Sequence, residues 1–302
     1  MEGEKSAKLH CFVGTVPSAR DHAGRAGVDA SDLFCQISWR GLQAGRLDLH
    51  LMPVGSEEVA DWALLDAGEQ ARALRLRRPQ DRVMFIQAHG LLRRVLSRYA
   101  PVAPAAWRFV TGPQGKPALC PRAHATEPAL RFNLSHCADR VAVVVAHGRE
   151  VGVDIERLDA LAAADDLAGL ILAPAERHLL PAEAPARQRF LLARWTFKEA
   201  VLKALGIGLG RIEPARLEVT GGTDAGPWQA RACTPHAAAQ LVPWSDRGWL
   251  HGASMGATHH WALACLRQPA DATPTWRVLH HPAPCAATPM TPTAGEIRLQ
   301  EH

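Results

Sequence analysis

Residues 46–267 predict an α+β fold made of two halves of about 100 residues each, meeting face to face. Two observations carry this. The order strand, short helix, long helix, strands is read twice along the chain. Each half also opens on a short β-patterned run and contains one long segment that matches a helix. The halves share this order without detectable sequence identity. Four segments follow: 1–45, an N-terminal extension of uncertain order; 46–148, the first α+β half; 149–267, the second, with a candidate metal site; and 268–302, a proline-rich tail.

Leu47-Asp48-Leu49-His50-Leu51-Met52 alternates with period two, as a strand with one buried face does. Ser56-Glu57-Glu58 has the N-cap and acidic first turn of a helix. A longer helix is expected from about Asp81 to Tyr99, with Met84, Ala88, Leu91 and Val95 on one face and Phe85, Leu92 and Leu96 beside them; Pro101 helps to end it. Trp107–Thr111, Leu130–Leu134 and Val141–Ala146 read as strands. The order then repeats with a strand at Val151–Glu156, a short helix at Pro174–Leu180, and a long helix from Pro185 to Leu205 stopped by Gly206. Strands near Arg216–Val219 and Trp261–Leu266 complete it. In the tail, Pro269, Pro274, Pro282, Pro284, Pro289 and Pro292 remove backbone donors, so a loose segment is expected.

Composition narrows the function. With 302 residues, 47 % hydrophobic and 21 % charged, the chain has a globular balance. No apolar run is long enough to cross a membrane, and residues 1–25 are charged throughout with no signal-peptide core. Seven scattered cysteines without a C-x-x-C pair argue against a disulfide framework or zinc knuckle. These features point to the cytoplasm. A net charge of +4 suits an acidic or phosphate-rich partner, and the lack of a basic run with interleaved aromatics argues against nucleic acid. Fifteen histidines scatter; the pairs His259–His260 and His280–His281 have no third ligand at regular spacing and read as surface residues.

Four clusters carry chemistry. In Val151-Gly152-Val153-Asp154-Ile155-Glu156, strand alternation turns Asp154 and Glu156 to one face and Val153 and Ile155 to the core. The two acids are either an ordinary solvent edge or a hard-cation site for Mg²⁺ or Mn²⁺. In Trp195-Thr196-Phe197-Lys198-Glu199-Ala200-Val201-Leu202-Lys203, Trp195, Glu199 and Lys203 share a helix face. Lys198 and Glu199 interrupt the apolar stripe Leu191, Trp195, Leu202, Leu205. Glu199 is either half of a surface pair with Lys203 or a third oxygen ligand beside Asp154 and Glu156; its place on a burying face favours the ligand. Phe132-Asn133-Leu134-Ser135-His136 ends an apolar strand in a Ser-His pair; with no G-x-S-x-G elbow, phosphate binding suits it better than a hydrolase nucleophile. Gly115-Lys116-Pro117 is either a hairpin turn with a solvated lysine or a rigid rim with a cation. Gly206-Ile207-Gly208-Leu209-Gly210 follows a helix instead of joining strand to helix, so it is a helix exit, not a dinucleotide fingerprint.

In their order and spacing these clusters resemble the 4′-phosphopantetheinyl transferases of the larger, monomeric surfactin-synthetase-activating type, over roughly residues 46–267. The resemblance implies a pseudo-twofold pair of α+β halves. It also implies transfer of 4′-phosphopantetheine from coenzyme A to a serine of an apo acyl or peptidyl carrier protein, releasing 3′,5′-ADP, by a cytoplasmic monomer needing Mg²⁺ or Mn²⁺. Carried over, Asp154, Glu156 and Glu199 hold the metal on the pyrophosphate, and Glu199 is also general base. Lys203 meets the pyrophosphate and assists the leaving group, with Lys198 as a second candidate. Ser135 and His136 hold the 3′-phosphate, and Gly115, Lys116 and Pro117 border the adenine. Arg72, Arg75 and Arg82 are available for the 3′-phosphate, Glu176 stands where the family often has an acid, and Cys137 where a small hydroxyl residue is common. A non-catalytic coenzyme A or carrier-protein binding module and an unrelated Mg²⁺-dependent hydrolase remain as alternatives. Retention of all three acids and Lys203 weighs against the first.

Overall fold

Two sheets organise the chain. A computed structural model describes residues 45–55, 61–125, 129–161, 164–208, 211–221, 228–245, 247–267 and 273–284. The N-terminal extension 1–44, the helix start at Ser56–Glu58, Leu209–Gly210 and the tail beyond 284 lie outside the described residues.

The first half runs β1 (Arg46–Pro53), α1 (Ala67–Leu74), α2 (Pro79–Leu96), a hairpin of β2 (Phe109–Thr111) and β3 (Pro117–Leu119), β4 (Leu130–Cys137) and β5 (Arg140–His147). The second runs β6 (Val151–Arg157), α3 (Ala164–Ile171), α4 (Pro174–Arg177), α5 (Ala184–Leu205), β7 (Leu217–Gly221), β8 (Trp228–Ala232), α6 (Pro235–Ser245), β9 (Gly248–Met255) and β10 (His259–Leu266); β11 (Thr275–His280) closes the described chain. The sheet orders are β11-β1-β5-β4 and β6-β10-β9-β8-β7. In each half the opening strand pairs antiparallel with the last strand, which pairs antiparallel with the strand before it. That common order, β1-β5-β4 and β6-β10-β9, is the duplication read from the sequence.

The layers follow from side-chain alternation. In β5, Val141, Val143 and Val145 pack under Met84, Ala88, Leu91, Leu92, Val95 and Leu96 of α2. Ala142, Val144 and Ala146 face the other sheet, where Leu47, Leu49 and Leu51 meet Val151, Val153, Ile155, Trp261 and Leu263. Beneath α5, Phe197, Ala200, Val201 and Ala204 pack on Leu217, Val219, Leu250, Ala262 and Ala264. A strand covered on both faces needs the continuous apolar run that Val141–Ala146 supplies. From Leu191 onward α5 is enclosed on nearly every side, so its apolar positions divide between the sheet and the α3 cluster of Ile171, Leu172, Leu191 and Leu192.

Four expectations change. His259 and His260, expected at the surface, are buried. Helix α2 begins at Pro79, where the missing N–H costs nothing at the first helical position, and ends at Leu96. β1 has two buried faces, because Asp48 and His50 are fully covered on the side away from the leucines. The tail is not loose throughout. Between Pro274 and Pro282, Thr275–His280 adds to β1 as a parallel edge strand, with Trp276 and Val278 on the inter-sheet core. The prolines flank the strand, leaving its donors intact.

The new strand also explains the buried polar face of β1. Arg277 grips Asp48 with two bonds of 2.7 and 2.8 Å. Tyr99 Oη donates to Asp48 Oδ2 at 2.8 Å and lies 2.6 Å from His50 Nε2, and His50 Nδ1 lies 2.8 Å from His281 Nε2. The directions agree only if His281 donates to His50 and His50 to Tyr99, which both imidazoles can do when neutral. Burial first, and then positive neighbours including Arg98, push His50 down to about 3 and His281 to about 4. Their unfolded values lie near 6.5, so the unfolded chain takes up protons first. Stability is therefore whole above about pH 6.5 and declines as pH falls toward those values, by up to about 1.4 kcal/mol per pH unit for each histidine. Between pH 7 and pH 5 the urea midpoint of the wild type should fall relative to that of His281→Phe, a comparison in which the other titrating groups cancel. A difference between the two midpoints that stays constant over that interval would exclude the network as a stability determinant.

Candidate active site

β6 is an edge strand of its sheet, and β4 is an edge strand of the other. The two edges run side by side, joined by Asn133, whose Oδ1 accepts from the Val153 N–H at 2.9 Å. That bond satisfies an edge donor that no strand pairs. α5 lies directly over β6. A Cβ on Gly152 would stand 2.1 Å from the Ala200 carbonyl oxygen and 2.4 Å from the Ala204 nitrogen, so only glycine permits this approach. Gly152, Asp154 and Glu156 share the face beneath α5, while Val151, Val153 and Ile155 face the core.

The close approach brings the predicted acids together. Asp154 is 2 % exposed and Glu199 4 %. Lys203 Nζ lies 2.6 Å from Asp154 Oδ1 and 3.0 Å from Ser135 Oγ, and Ser135 donates to Asp154 at 2.8 Å. Trp195 Nε1 donates to Glu156 at 3.2 Å. Burial raises both Glu156 and Glu199 to about 7, and the Asp154 charge adds to the rise in each. Asp154 Oδ2 and Glu199 Oε1 are buried without a hydrogen-bond partner. Clustered carboxylates with orphaned oxygens are the donor set of a hard cation. The three acids do not close on one point, since the described residues bring only Cys137, Asp139 and His259 within 4.8 Å of one another as a set of three. An open set still suits Mg²⁺, which keeps several waters and takes one or two carboxylates.

The remaining predicted residues divide. A cavity of about 230 Å³ is lined by Gly115, Lys116, Pro117, Asn133, Glu199 and Lys203, and therefore adjoins the acids. A larger one of about 620 Å³ shares Lys116, Pro117 and Gly206 but does not touch them; Leu119, Leu130 and Phe132 give it apolar walls. Lys116 divides the two. Its ammonium is engaged by Glu150 at 2.8 Å and by the carbonyls of Val151 at 3.0 Å and Ala204 at 3.2 Å, so it braces the turn against the end of α5. The neighbouring Gly115 has φ +92°, which permits that turn.

Ser135 and His136 face opposite ways, as adjacent strand residues must. Ser135 joins Lys203 and Asp154. His136 keeps an exposed surface on the α2 side, and surrounding protein, then the charges of Lys203 and His89, hold it below its ordinary pKa. Arg72, over the Phe85 ring at 5.3 Å, Arg75 and Arg82 stand around the α1–α2 corner.

Lys198 is a correction. It is fully buried on the far side of α5, bonded to the Ile171 carbonyl at 2.6 Å and paired with Glu176. It does not reach the cavity that Glu199 and Lys203 line, because consecutive helix residues point about 100° apart. Glu176, left without a role by the sequence, also accepts from Ala173 N at 2.7 Å and Val219 N at 2.8 Å, with Arg194 at 3.5 Å. It joins α4, α5 and β7. Removing one partner of a buried pair strands the other, so Lys198→Ala should lose about 3–5 kcal/mol of stability. Urea unfolding checks this, and a loss below about 1 kcal/mol would argue against a structural tie.

Asn133, Gly152, Glu150 and Trp195 gain site roles that the sequence did not assign. Gly152 had a legible signal, a lone glycine inside a strand, which marks close backbone approach.

Comparison with known proteins places the chain in a family. Residues 150–264 match the 4′-phosphopantetheinyl transferase superfamily model. The 4′-phosphopantetheinyl transferase HetI of Nostoc sp. is 35 % identical over 161 residues, covering 52 % of this chain and 66 % of that protein. AcpT of Salmonella typhi is 35 % identical over 145 residues, covering 47 % and 69 %. For pptA of Paxillus involutus the values are 31 % over 164 residues, 48 % and 61 %. About a third of each relative therefore lies outside the match. A holo-(acyl-carrier-protein) synthase from Bacillus anthracis, solved with CoA, is 22 % identical with a TM-score of 0.31, covering 39 % of this chain and 94 % of that one. With the acids, Lys203 and the Phe132–His136 segment gathered at one edge between the halves, the chain belongs to the 4′-phosphopantetheinyl transferase superfamily.

Proposed function

We propose that this protein transfers 4′-phosphopantetheine from coenzyme A to a serine hydroxyl of an acyl or peptidyl carrier protein, releasing 3′,5′-ADP. The observation that carries this is the convergence of Asp154, Glu156, Glu199 and Lys203 beside a cavity at the junction of the two halves. Asp154 and Glu199, with Glu156, would hold Mg²⁺ (Mn²⁺ is equivalent in donor preference), and the ion would supply charge neutralisation at the pyrophosphate. Glu199 takes the proton as the serine oxygen bonds to the pantetheine-bearing phosphorus. The bond from that phosphorus to the bridging oxygen breaks, and 3′,5′-ADP leaves with the electron pair. Lys203 stands to offset the charge gathering on the leaving group. We read the protein as a cytoplasmic monomer, a reading supported by both halves of the cleft belonging to one chain. No described helix is long and apolar enough to cross a membrane.

The opposed directions of Ser135 and His136 give them separate tasks. His136, with the arginines of the α1–α2 corner, serves the 3′-phosphate, while Ser135 orients Lys203 and Asp154. The Lys116 stem and Pro117 border the adenine. A charge-assisted bond to phosphate contributes about 1.5–3 kcal/mol, so His136→Ala should raise KM for coenzyme A about ten- to a hundredfold. KM for 3′-dephospho-coenzyme A should barely change. Equal effects on both substrates would remove this role.

Intact-mass measurement of candidate apo-carriers after incubation with coenzyme A and Mg²⁺ tests the whole. A carrier gaining one phosphopantetheine, with 3′,5′-ADP formed only when the carrier is present, is expected. Nucleotide release without a carrier would make the protein a hydrolase, and coenzyme A binding without product a binding module.

A further inference from the structure

A second set of metal-ligating side chains shares none of the three acids, although Glu156 is near enough for its charge to act on Cys137. Cys137 ends β4, Asp139 occupies the turn into β5, and His259 opens β10 after the β9–β10 turn. The three come from hairpin tips on different sheets, and their donor atoms all lie within 4.8 Å of one another. Asp139 Oδ1 is central, 2.8 Å from His259 Nε2 and 3.7 Å from Cys137 Sγ. We infer that Cys137, Asp139 and His259 form a site for one zinc-class divalent cation that fastens the β4–β5 hairpin to the start of β10.

Two of the three ligand–ligand edges are near what such an ion requires, and the third, from Cys137 Sγ to the His259 ring nitrogen, lies within 4.8 Å. Zinc bonds of about 2.0–2.1 Å to nitrogen or oxygen and about 2.3 Å to sulfur give tetrahedral edges of roughly 3.3–3.6 Å. The sulfur–oxygen distance already matches, and the nitrogen–oxygen distance has only to open by about 0.5 Å as the shared proton leaves. Outer partners are in place. Thr258 Oγ1 lies 2.9 Å from His259 Nδ1, so it can accept the Nδ1–H of the tautomer whose Nε2 is free to ligate. Arg140 Nη1 holds the other Asp139 oxygen at 3.1 Å. Cys137 and His259 are buried and Asp139 is partly exposed, which leaves the fourth position open to water on the solvent side. Thiolate, imidazole and carboxylate together select zinc over magnesium, whereas the Asp154 cluster offers oxygen alone. The proton account is simple. The thiol releases one proton to solvent, and the imidazole stays neutral while its proton moves from Nε2 to Nδ1.

Cobalt reports the site directly. The full chain, freed of metal and kept in excess Mg²⁺ to occupy the acids, is titrated with Co²⁺. One equivalent should bind with a thiolate-to-cobalt charge-transfer band and tetrahedral d–d bands, and Zn²⁺ should displace it. Cys137→Ser, a near-isosteric change, should lose the charge-transfer band, and Asp139→Asn and His259→Gln should weaken binding at least tenfold. Zn²⁺ should raise the melting temperature of the wild type but not of folded Cys137→Ser. Three results would overturn the assignment: no charge-transfer band in a natively folded chain; the same band in Cys137→Ser, assigning it to another cysteine; or binding that Mg²⁺ competes away. None of these bears on transfer to carrier proteins.

Discussion

Glu199→Gln is expected to slow the chemical step by about 10²–10⁴, the range for losing a general base. The variant keeps the size of the side chain and one ligand oxygen, so coenzyme A binding should weaken far less. The pH profile makes the test specific. Burial and the nearby Asp154 charge raise Glu199 to about 7, so below that pH the carboxyl is increasingly protonated and cannot accept the serine proton. The wild-type single-turnover rate should fall on the acidic side and level off above it. Added Mg²⁺ should move the acidic limb to lower pH, because a bound cation favours the ionised carboxylate. In Glu199→Gln the limb should flatten, while Lys203→Ala should keep it and lower the plateau. A Glu199→Gln rate within threefold of wild type, with its limb unchanged, would show that another group takes the proton.

For Asp154→Asn, transfer at limiting Mg²⁺ should fall by at least about 10²-fold with the fold intact. The amide keeps an acceptor for Lys203 and Ser135, so circular dichroism should be unchanged, but one buried ligand charge is lost. Asp154 also raises its neighbours, so its neutralisation should lower both Glu156 and Glu199. Protection against thermal unfolding by Mg²⁺ shows the same charge from the stability side. With folded values near 7 and unfolded ones near 4.5, these two acids take stability from the metal-free protein as pH rises through that window, opposite in sign to the His50–His281 pair. Mg²⁺ should therefore stabilise the wild type more at pH 8 than at pH 5, and Asp154→Asn little at either. A wild-type Mg²⁺ response independent of pH, or near-normal transfer by Asp154→Asn at limiting Mg²⁺, would exclude these acids as the metal site.

The sequence by itself determined the twofold α+β order, the two long helices and the shared face of Asp154 and Glu156. Each of these is local, written in a periodicity of two or 3.6 residues that a run such as Val151–Glu156 carries within itself. It also set Glu199 on a burying face, where the structure has it, because a lone acid among apolar helix positions is visible without a fold. The tertiary structure decided what depends on partners distant in the chain. Lys198 and Lys203 look alike in sequence, but they leave α5 in different directions, one to Glu176 in a buried tie and the other to Asp154 and Ser135. Lys116 looks like a free cation until Glu150 and two carbonyls meet it. Thr275–His280 looks like part of a loose tail until the edge of β1, more than two hundred residues earlier, offers it a strand to pair with. Pairing across such separations is set by which edges and charges remain unsatisfied after the sheets pack, and no local pattern records that.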